Sequence, residues 1–492
     1  MRNLLLVAIS FSILSCQPQA PEESKSPEFE KIDQLVAFQR SSFEVPGLAV
    51  GLIKEGKVIY AEGHGLQGLG TQQPLTRQSL FHMASVSKPF VATAIVQLVE
   101  QGKIDLEEKL THYLPYFTMA DERYKAITIQ QMLNHTSGIP DVDDYEWNKP
   151  QYDDGAAERY ARQHATIGLD FTPGERFSYS NAAFDILCDV IAKVSGMTFE
   201  DYTKKYIFEP VGMKNSTFFK PDVPENLATQ PHIIGDSLKA VVSVVYPYNR
   251  RHAGSSTLHS NVEDMMRWAM VNLNKGEIEG KRIYNEASYD LLTTVTHQIN
   301  DTRNVCLSWF TRNLRGHDIF YHSGGDTGYS TFFAFIPSKK SAVVLMANES
   351  SFWGTDAASM LLLNTFYGDS LRWEVPINYM LDDYILTEGI DKVKALYHEE
   401  ATKTPREYMI EGGLIDDMGY HLLERGHHKK ALEVFLFNTE LEPEHAGWVD
   451  SVADAYAAMD STQQAIAWYR QALKMNPEQD FSRKKLNALL NQ

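Results

Sequence analysis

Two spacings of apolar residues divide the chain. From about Phe29 to Gly368, short runs alternate like strands and longer runs recur at helical intervals. LAVGLIK and VIYAEG, joined around Glu55-Gly56-Lys57, predict a β-hairpin; YSTFFAFIP and SAVVLMANES, joined by a short lysine-rich turn, predict another near the far end. Between them, PFVATAIVQLVEQG sets Val91, Ile95, Leu98 and Val99 on one helical face and stops at Gly102. Strand pairs at both ends with helices between predict an α/β domain, in which one antiparallel sheet is assembled from both ends and covered by helices. Residues far apart in sequence can then meet at one site.

After about Leu371 the strand-like runs stop. An offset of 34 residues lays Ala431 over Ala465, Phe435 over Tyr469 and Pro443 over Pro477. That spacing of small, aromatic and proline positions resembles tetratricopeptide repeats, each a helical pair. An all-α region is expected over 371–492, with repeats at about 412–445 and 446–479. Two repeats bury little surface alone, so residues 380 to 410 are expected to add a degenerate pair and FSRKKLNALL a closing helix. Two unrelated amphipathic hairpins are the alternative.

Composition narrows the classes. With 492 residues and 43% hydrophobic content, the chain can bury a large core in more than one domain. Its 64 acidic and 46 basic side chains give a net charge of −18, which would repel a phosphate backbone, so nucleic acid is excluded as a partner. The opening MRNLLLVAISFSILSC carries one cation, Arg2, then an apolar run to Leu14 and Cys16, the pattern of an export signal. Its ending, Ile13-Leu14-Ser15-Cys16, resembles a bacterial lipobox, which implies a 1–16 signal, acylation of Cys16 and an exported, membrane-anchored lipoprotein. Ordinary cleavage near Ala20, discarding Cys16, is the alternative. Residues 17–28, rich in Pro, Glu and Ser, read as a tether, leaving 29–370 as the main domain. Cys188 and Cys306 are expected as buried free thiols.

The chemistry centres on Ser85-Val86-Ser87-Lys88, where a helix begins. Residues three apart share a helical face, so Lys88 can set its amine beside the Ser85 hydroxyl, and Pro89 is tolerated in the first turn. Serine is a weak nucleophile until a base takes its proton, and a desolvated lysine can be that base. A second S-x-x-K at Ser482 to Lys485 shows that the spacing alone decides nothing; there it reads as a solvated surface pair.

Two further clusters follow in order: Tyr179-Ser180-Asn181 in TPGERFSYSNAAFDIL, and His322-Ser323-Gly324 in YHSGGDTGYSTFFAF. With VPGLAVGLIKEGKVIYAEGHG, IQQMLNHTSGIPD and AGSSTLHSNVEDMMRWA, they make residues 40 to 350 similar to the serine β-lactamase-related family of class C β-lactamases, D-Ala-D-Ala carboxypeptidases, D-aminopeptidases and esterases. The resemblance implies a β-lactamase/transpeptidase-like fold, an antiparallel sheet flanked by helices plus a helical subdomain. It implies that Ser85 forms an acyl-enzyme, that Lys88 accepts or relays its proton, and that Tyr179 serves as base and then acid, with its phenolate stabilised by Lys88. Asn181 would orient Lys88 and donate to the substrate, and the N–H groups of Ser85 and Gly325 would form the oxyanion hole beside His322, Ser323 and Gly324. Close backbone approach is the expected reason for glycine at 325. His135 is expected to be structural, and no cofactor or metal is expected.

His322 stands where many relatives have lysine, which weakens recognition of a substrate carboxylate. No dedicated deacylating carboxylate stands out, so poor β-lactam turnover is expected. The function expected is a serine hydrolase acting on an amide or ester, from cell-wall or D-amino-acid peptides to small esters. The alternative is an envelope scaffold that binds a ligand without turnover and recruits a protein partner through the helical tail.

Overall fold

The computed structural model describes residues 27–235, 239–351 and 375–490, except residues 405, 407 and 411. Cys16, the signal segment and the expected boundary near 370 lie outside the described residues.

Eight strands form the main sheet: β1 (Gly47–Lys54), β2 (Lys57–Gly65), β3 (His297–Gln298), β4 (Asn304–Val305), β5 (Phe310–Leu314), β6 (His317–Asp326), β7 (Tyr329–Ile336) and β8 (Ser341–Ala347). Their order is β2-β1-β8-β7-β6-β5-β4-β3, every pairing antiparallel. The two expected hairpins are there, and β1 joins β8 from Leu48 opposite Ala347 to Ile53 opposite Ala342, closing the sheet from both ends of the domain. Glu55 and Gly56, with φ of 50° and 75°, make the two-residue turn whose twist suits a hairpin.

Helices cover both faces. On one side α1 (Pro27–Ser42), which begins inside the expected tether, buries Ile32 and Val36 against Leu48, Val50 and Leu52. On the other lie α2 (Lys88–Glu100), α3 (Asn181–Ser195) and α4 (Val262–Leu273). Gly51 lets α4 approach β1, since a Cβ there would come within 2.7 Å of Val262 and Met266. Helix α2 was expected to bury one face, yet Lys88 through Leu98 are all buried. It runs through the middle of the domain, where each fully buried Phe90, Ile95 or Leu98 contributes roughly 1.5–3 kcal/mol. That surplus can carry the cost of a buried lysine at the helix start.

The C-terminal region consists of α5 (Ile377–Thr387), α6 (Ile390–Thr402), α7 (Gly412–Glu424), α8 (His428–Leu441), α9 (Ala446–Ala458), α10 (Thr462–Met475) and α11 (Asp480–Leu490). Val375–Pro376 pairs in parallel with Tyr408–Met409, and Tyr408 packs both on the residues under α1 and on the core of this region. Ala431, Phe435, Ala465 and Tyr469 are buried at equivalent places in α8 and α10, and Pro443 and Pro477 follow the ends of those helices. Gly419 in α7 lies under Phe435, with space for no side chain: a Cβ would sit 2.2 Å from the ring. Gly419→Val is therefore expected to destabilise this region by about 1–3 kcal/mol or more, read as faster hydrogen exchange in α7 and α8 while the sheet amides keep their protection.

The second S-x-x-K was expected as a solvated surface pair; its lysine is partly exposed, but its serine is not. Ser482 is fully buried and donates to Asp450, while Lys485 pairs with Asp450 at 2.7 Å and Asp454 at 2.6 Å, tying α11 to α9. Burial pulls the Lys485 amine down, but Asp454 and Asp450 outweigh it and hold it above the ordinary value, in the charged form. This lysine cannot act as a base.

Candidate active site

The chain reaches Ser85 through a short 3₁₀ turn, Ala84–Ser87, that runs straight into α2. With three residues per 3₁₀ turn, residues i and i+3 eclipse, so Lys88 stands directly over Ser85. The turn is pinned on several sides: Met83 N–H donates to the Leu258 carbonyl at 2.7 Å, Thr331 Oγ1 to the Met83 carbonyl at 2.8 Å, and Leu258 N–H to Ser87 Oγ at 3.0 Å. Ala84 is held at φ 48°, a left-handed conformation that costs alanine roughly 1–3 kcal/mol and that the pinning sustains. Between Ser79 and Leu98 every residue is buried except Ser85, which is partly open.

Lys88 is fully buried. Its Nζ lies 2.9 Å from Ser85 Oγ, 2.6 Å from Asn181 Oδ1 and 2.8 Å from the Ser255 carbonyl. Burial lowers its pKa from 10.5 to about 7, against the opposing fields of Asp185, Asp141 and Asp326. Two of the three partners, a carboxamide oxygen and a carbonyl, can only accept. They take two N–H groups, and in the neutral amine the lone pair is left facing the Ser85 hydroxyl.

Each partner is itself positioned. Ser180 caps α3, its Oγ accepting from Ala183 N–H at 3.2 Å, which places Asn181 at the first helical position. One turn on, Asp185 accepts Ser255 N–H at 2.9 Å and His252 Nδ1–H at 2.7 Å, fixing the loop that presents the Ser255 carbonyl. Gly254 permits that approach, since a Cβ would lie 2.3 Å from the Phe184 carbonyl.

Tyr179 is half-buried, hydrogen-bonded to Ser85, and its ring lies 4.9 Å from Lys88 Nζ. Burial raises its phenol well above the ordinary range, outweighing the lowering by the Ser85 hydrogen bond. The phenolate that a base role for Tyr179 requires is therefore disfavoured, and of the pair Lys88 is the easier to deprotonate.

On the facing strand, β5 pairs with β6 only as far as Tyr321, so among the described residues no strand pairs with that edge of β6 over 322–326. The two-residue turn Thr327–Gly328 makes Asp326 and Gly324 bond to β7, and alternation then turns Gly325 N–H toward the open edge. Close approach occurs at Gly324, not Gly325. A Cβ at 324 would lie 2.4 Å from the Met83 carbonyl and 3.1 Å from Ala84 Cβ, whereas one at 325 would meet open space. His322 is buried against Phe310 and Tyr179, donates Nδ1–H to the Ser323 carbonyl at 2.7 Å, and burial drives its pKa down to about 3. It is a neutral ring.

Two residues hold these groups: Asp141, which sequence reasoning passed over, and His135, which was expected to be structural. Asp141 accepts Asn181 N–H at 2.7 Å and Asn181 Nδ2–H at 3.2 Å, which turns Oδ1 of Asn181 toward Lys88. His135, at φ 60°, stacks on Tyr179 with ring centroids 4.3 Å apart, and its Nδ1 accepts Ser180 N–H at 3.1 Å. Both lie in the stretch NHTSGIPD, whose content as a site element only its contact with Tyr179 and Asn181 reveals. Cys188 and Cys306 are buried free thiols.

A family model described as Beta-lactamase matches residues 31–364. Protein flp of Staphylococcus aureus (strain MW2) is 26% identical over 328 residues, 65% of this chain and 63% of that protein, so the match spans just under two thirds of the relative's length. Penicillin-binding protein 4* of Bacillus subtilis (strain 168) is 28% identical over 314 residues, 60% of this chain and 66% of that protein. Among solved structures, the octameric penicillin-binding protein homologue from Pyrococcus abyssi superposes with a TM-score of 0.63 at 25% identity, covering 73% of this chain and 82% of that one. A penicillin-binding protein from Bacillus halodurans gives 0.57 at 25% identity, covering 66% and 98%.

Proposed function

The chain belongs to the Beta-lactamase family, and from that membership we propose that it is a serine hydrolase acting through an acyl-enzyme on an amide or ester. The observation that carries the proposal is the hydrogen-bond count at Lys88 Nζ: two obligate acceptors and one hydroxyl, around an amine that burial holds near neutrality.

The steps follow from that geometry. The Ser85 O–H passes its proton to the Lys88 lone pair as Oγ bonds to the substrate carbonyl carbon. The carbonyl oxygen becomes an oxyanion facing the N–H groups of Ser85 and Gly325, a contribution of about 3–4 kcal/mol per donor in comparable sites. The proton then travels from Lys88 through the Tyr179 hydroxyl to the leaving nitrogen or oxygen, and the carbon–leaving-group bond breaks. Water, deprotonated in turn by Lys88, hydrolyses the acyl ester and restores Ser85.

A base of this kind must be unprotonated to act. Turnover of a p-nitrophenyl ester is expected to rise with pH, kcat/KM climbing roughly tenfold per unit below about pH 7 and levelling above it as Lys88 discharges. A profile flat from about pH 5.5 to 8.5 would exclude Lys88 as the titrating base.

β-Lactams bring a carboxylate, and neutral His322 brings no charge to receive it. Asp141 and Asp185 have both oxygens engaged by protein donors, so neither is free to activate a deacylating water. A cephalosporin is therefore expected to turn over with kcat/KM below about 10⁴ M⁻¹s⁻¹; a faster rate would contradict the expected specificity.

The export signal and Cys16 motif support, within the same proposal, a lipid-anchored protein outside the cytoplasm. The 34-residue periodicity supports a tetratricopeptide-like tail that receives a protein partner. Radiolabelled palmitate incorporation lost in Cys16→Ala tests the anchor.

A further inference from the structure

The groups around Ser85 are arranged to favour one charge. His322, 1% exposed, commits Nδ1–H to a carbonyl and supplies no cation. Three carboxylates, Asp185, Asp141 and Asp326, act on the Lys88 amine. Asp185 accepts from Ser255 N–H and His252, one on each oxygen, and Asp141 accepts from Val142 N–H and twice from Asn181. Asp326 differs. Its Oδ2 accepts from Ser256 Oγ and, at 2.9 Å, from His82 Nε2, while Oδ1 has no partner among the described residues and the side chain is 11% exposed.

The position of this carboxylate is set by the strand. Asp326 follows Gly325 at the end of the open edge of β6 and shares a face with Gly324, which abuts Ala84 beside the nucleophile. His82, which holds it, is fully buried, and its Nδ1 has no partner among the described residues. His82 orients the carboxylate by hydrogen bonding to Oδ2. A carboxylate with one oxygen left open beside the nucleophile suits an ammonium group and repels a carboxylate.

We propose that the cleft selects acyl donors carrying an ammonium group over those carrying a carboxylate, with Asp326 Oδ1 as the receiving atom. This rests on the serine-hydrolase proposal and narrows it to amine-bearing esters or amides, such as derivatives of amino acids with a free amino group. Asp326 is a specificity residue, outside the proton path from Ser85 to Lys88.

The test uses the p-nitrophenyl esters of alanine, N-acetylalanine and N-succinylalanine, cationic, neutral and anionic, with rates on Ser85→Ala subtracted as background. The intact protein is expected to show kcat/KM in the order cationic, neutral, anionic, the extremes differing at least about tenfold. Raising the salt from about 50 to 500 mM should shrink that ratio. Asp326→Asn, which keeps the shape and the acceptor for Ser256 and His82, should bring the extremes within about threefold; the comparison is a ratio among the three esters, in which any common change through the Lys88 amine cancels. A ratio near one in the intact protein, preference for the anionic ester, or an equal loss on all three esters in Asp326→Asn would overturn the proposal. Turnover of the neutral ester with no charge preference would overturn it while sparing the hydrolase proposal; no Ser85-dependent turnover of any ester would remove both. If Asp326→Asn does not fold, the salt dependence of the wild-type ratio decides between the same outcomes.

Discussion

Ser85→Ala is expected to reduce ester turnover by at least about 10⁴-fold, to the level left by binding and oxyanion stabilisation alone, and to abolish the adduct formed with a fluorophosphonate. The fold should survive the change. The 3₁₀ turn is held by Met83, Ser87, Thr331 and the close contact at Gly324, and the Ser85 side chain contributes to none of these. Ser85 is also the one partly open residue from Ser79 to Leu98, so removing a hydroxyl there leaves no sealed cavity. Intact-mass spectrometry after labelling, with circular dichroism in parallel, measures both halves. Hydrolysis or an adduct retained in the folded variant would exclude Ser85 as nucleophile.

Lys88→Met should lose activity by a comparable factor and should change the dependence of stability on pH. The Lys88 amine has a folded pKa of about 7 against an ordinary 10.5, so between those values the unfolded chain binds the extra proton. Stability therefore rises with pH through that window. Below about pH 7 both states are protonated, and the full cost of burying the charge, of the order of 5 kcal/mol, is present. Methionine removes this cost but strands the Asn181 Oδ1 and Ser255 carbonyl acceptors, at about 1–3 kcal/mol each. The two effects differ in pH dependence. Relative to the wild type, the variant should be most stable near pH 6 and lose that advantage progressively toward about pH 10, as urea midpoints at matched m-values would show. An offset independent of pH would mean that Lys88 is charged throughout.

Much of the site was legible because its groups sit in local patterns. Ser85 and Lys88 lie one turn apart, and Tyr179-Ser180-Asn181 announces a helix cap; local spacing carries that geometry without help from the rest of the chain. Asp141 was not legible in sequence and His135 only as a structural residue, since their roles consist of contacts made across 40 or more residues. Asp185 reads as one more polar residue in a helix until the Ser255 loop meets it. Glycine was misread by one position, because which of Gly324 and Gly325 faces the 3₁₀ turn depends on strand register.

The two serine–lysine pairs mark the boundary between what each level decides. Sequence alone determined the antiparallel sheet built from both chain ends, the helical tail and the presence of S-x-x-K twice, because alternation, helical period and spacing are local properties. Tertiary structure decided which pair can do chemistry. Around Lys88 it assembled burial and two obligate acceptors, drawing the amine toward neutrality, while around Lys485 it assembled Asp450 and Asp454, which keep the charge. Desolvation and Coulomb fields come from atoms that folding brings close, so the same S-x-x-K spacing yields an amine with a lowered pKa in one place and an ion pair in the other.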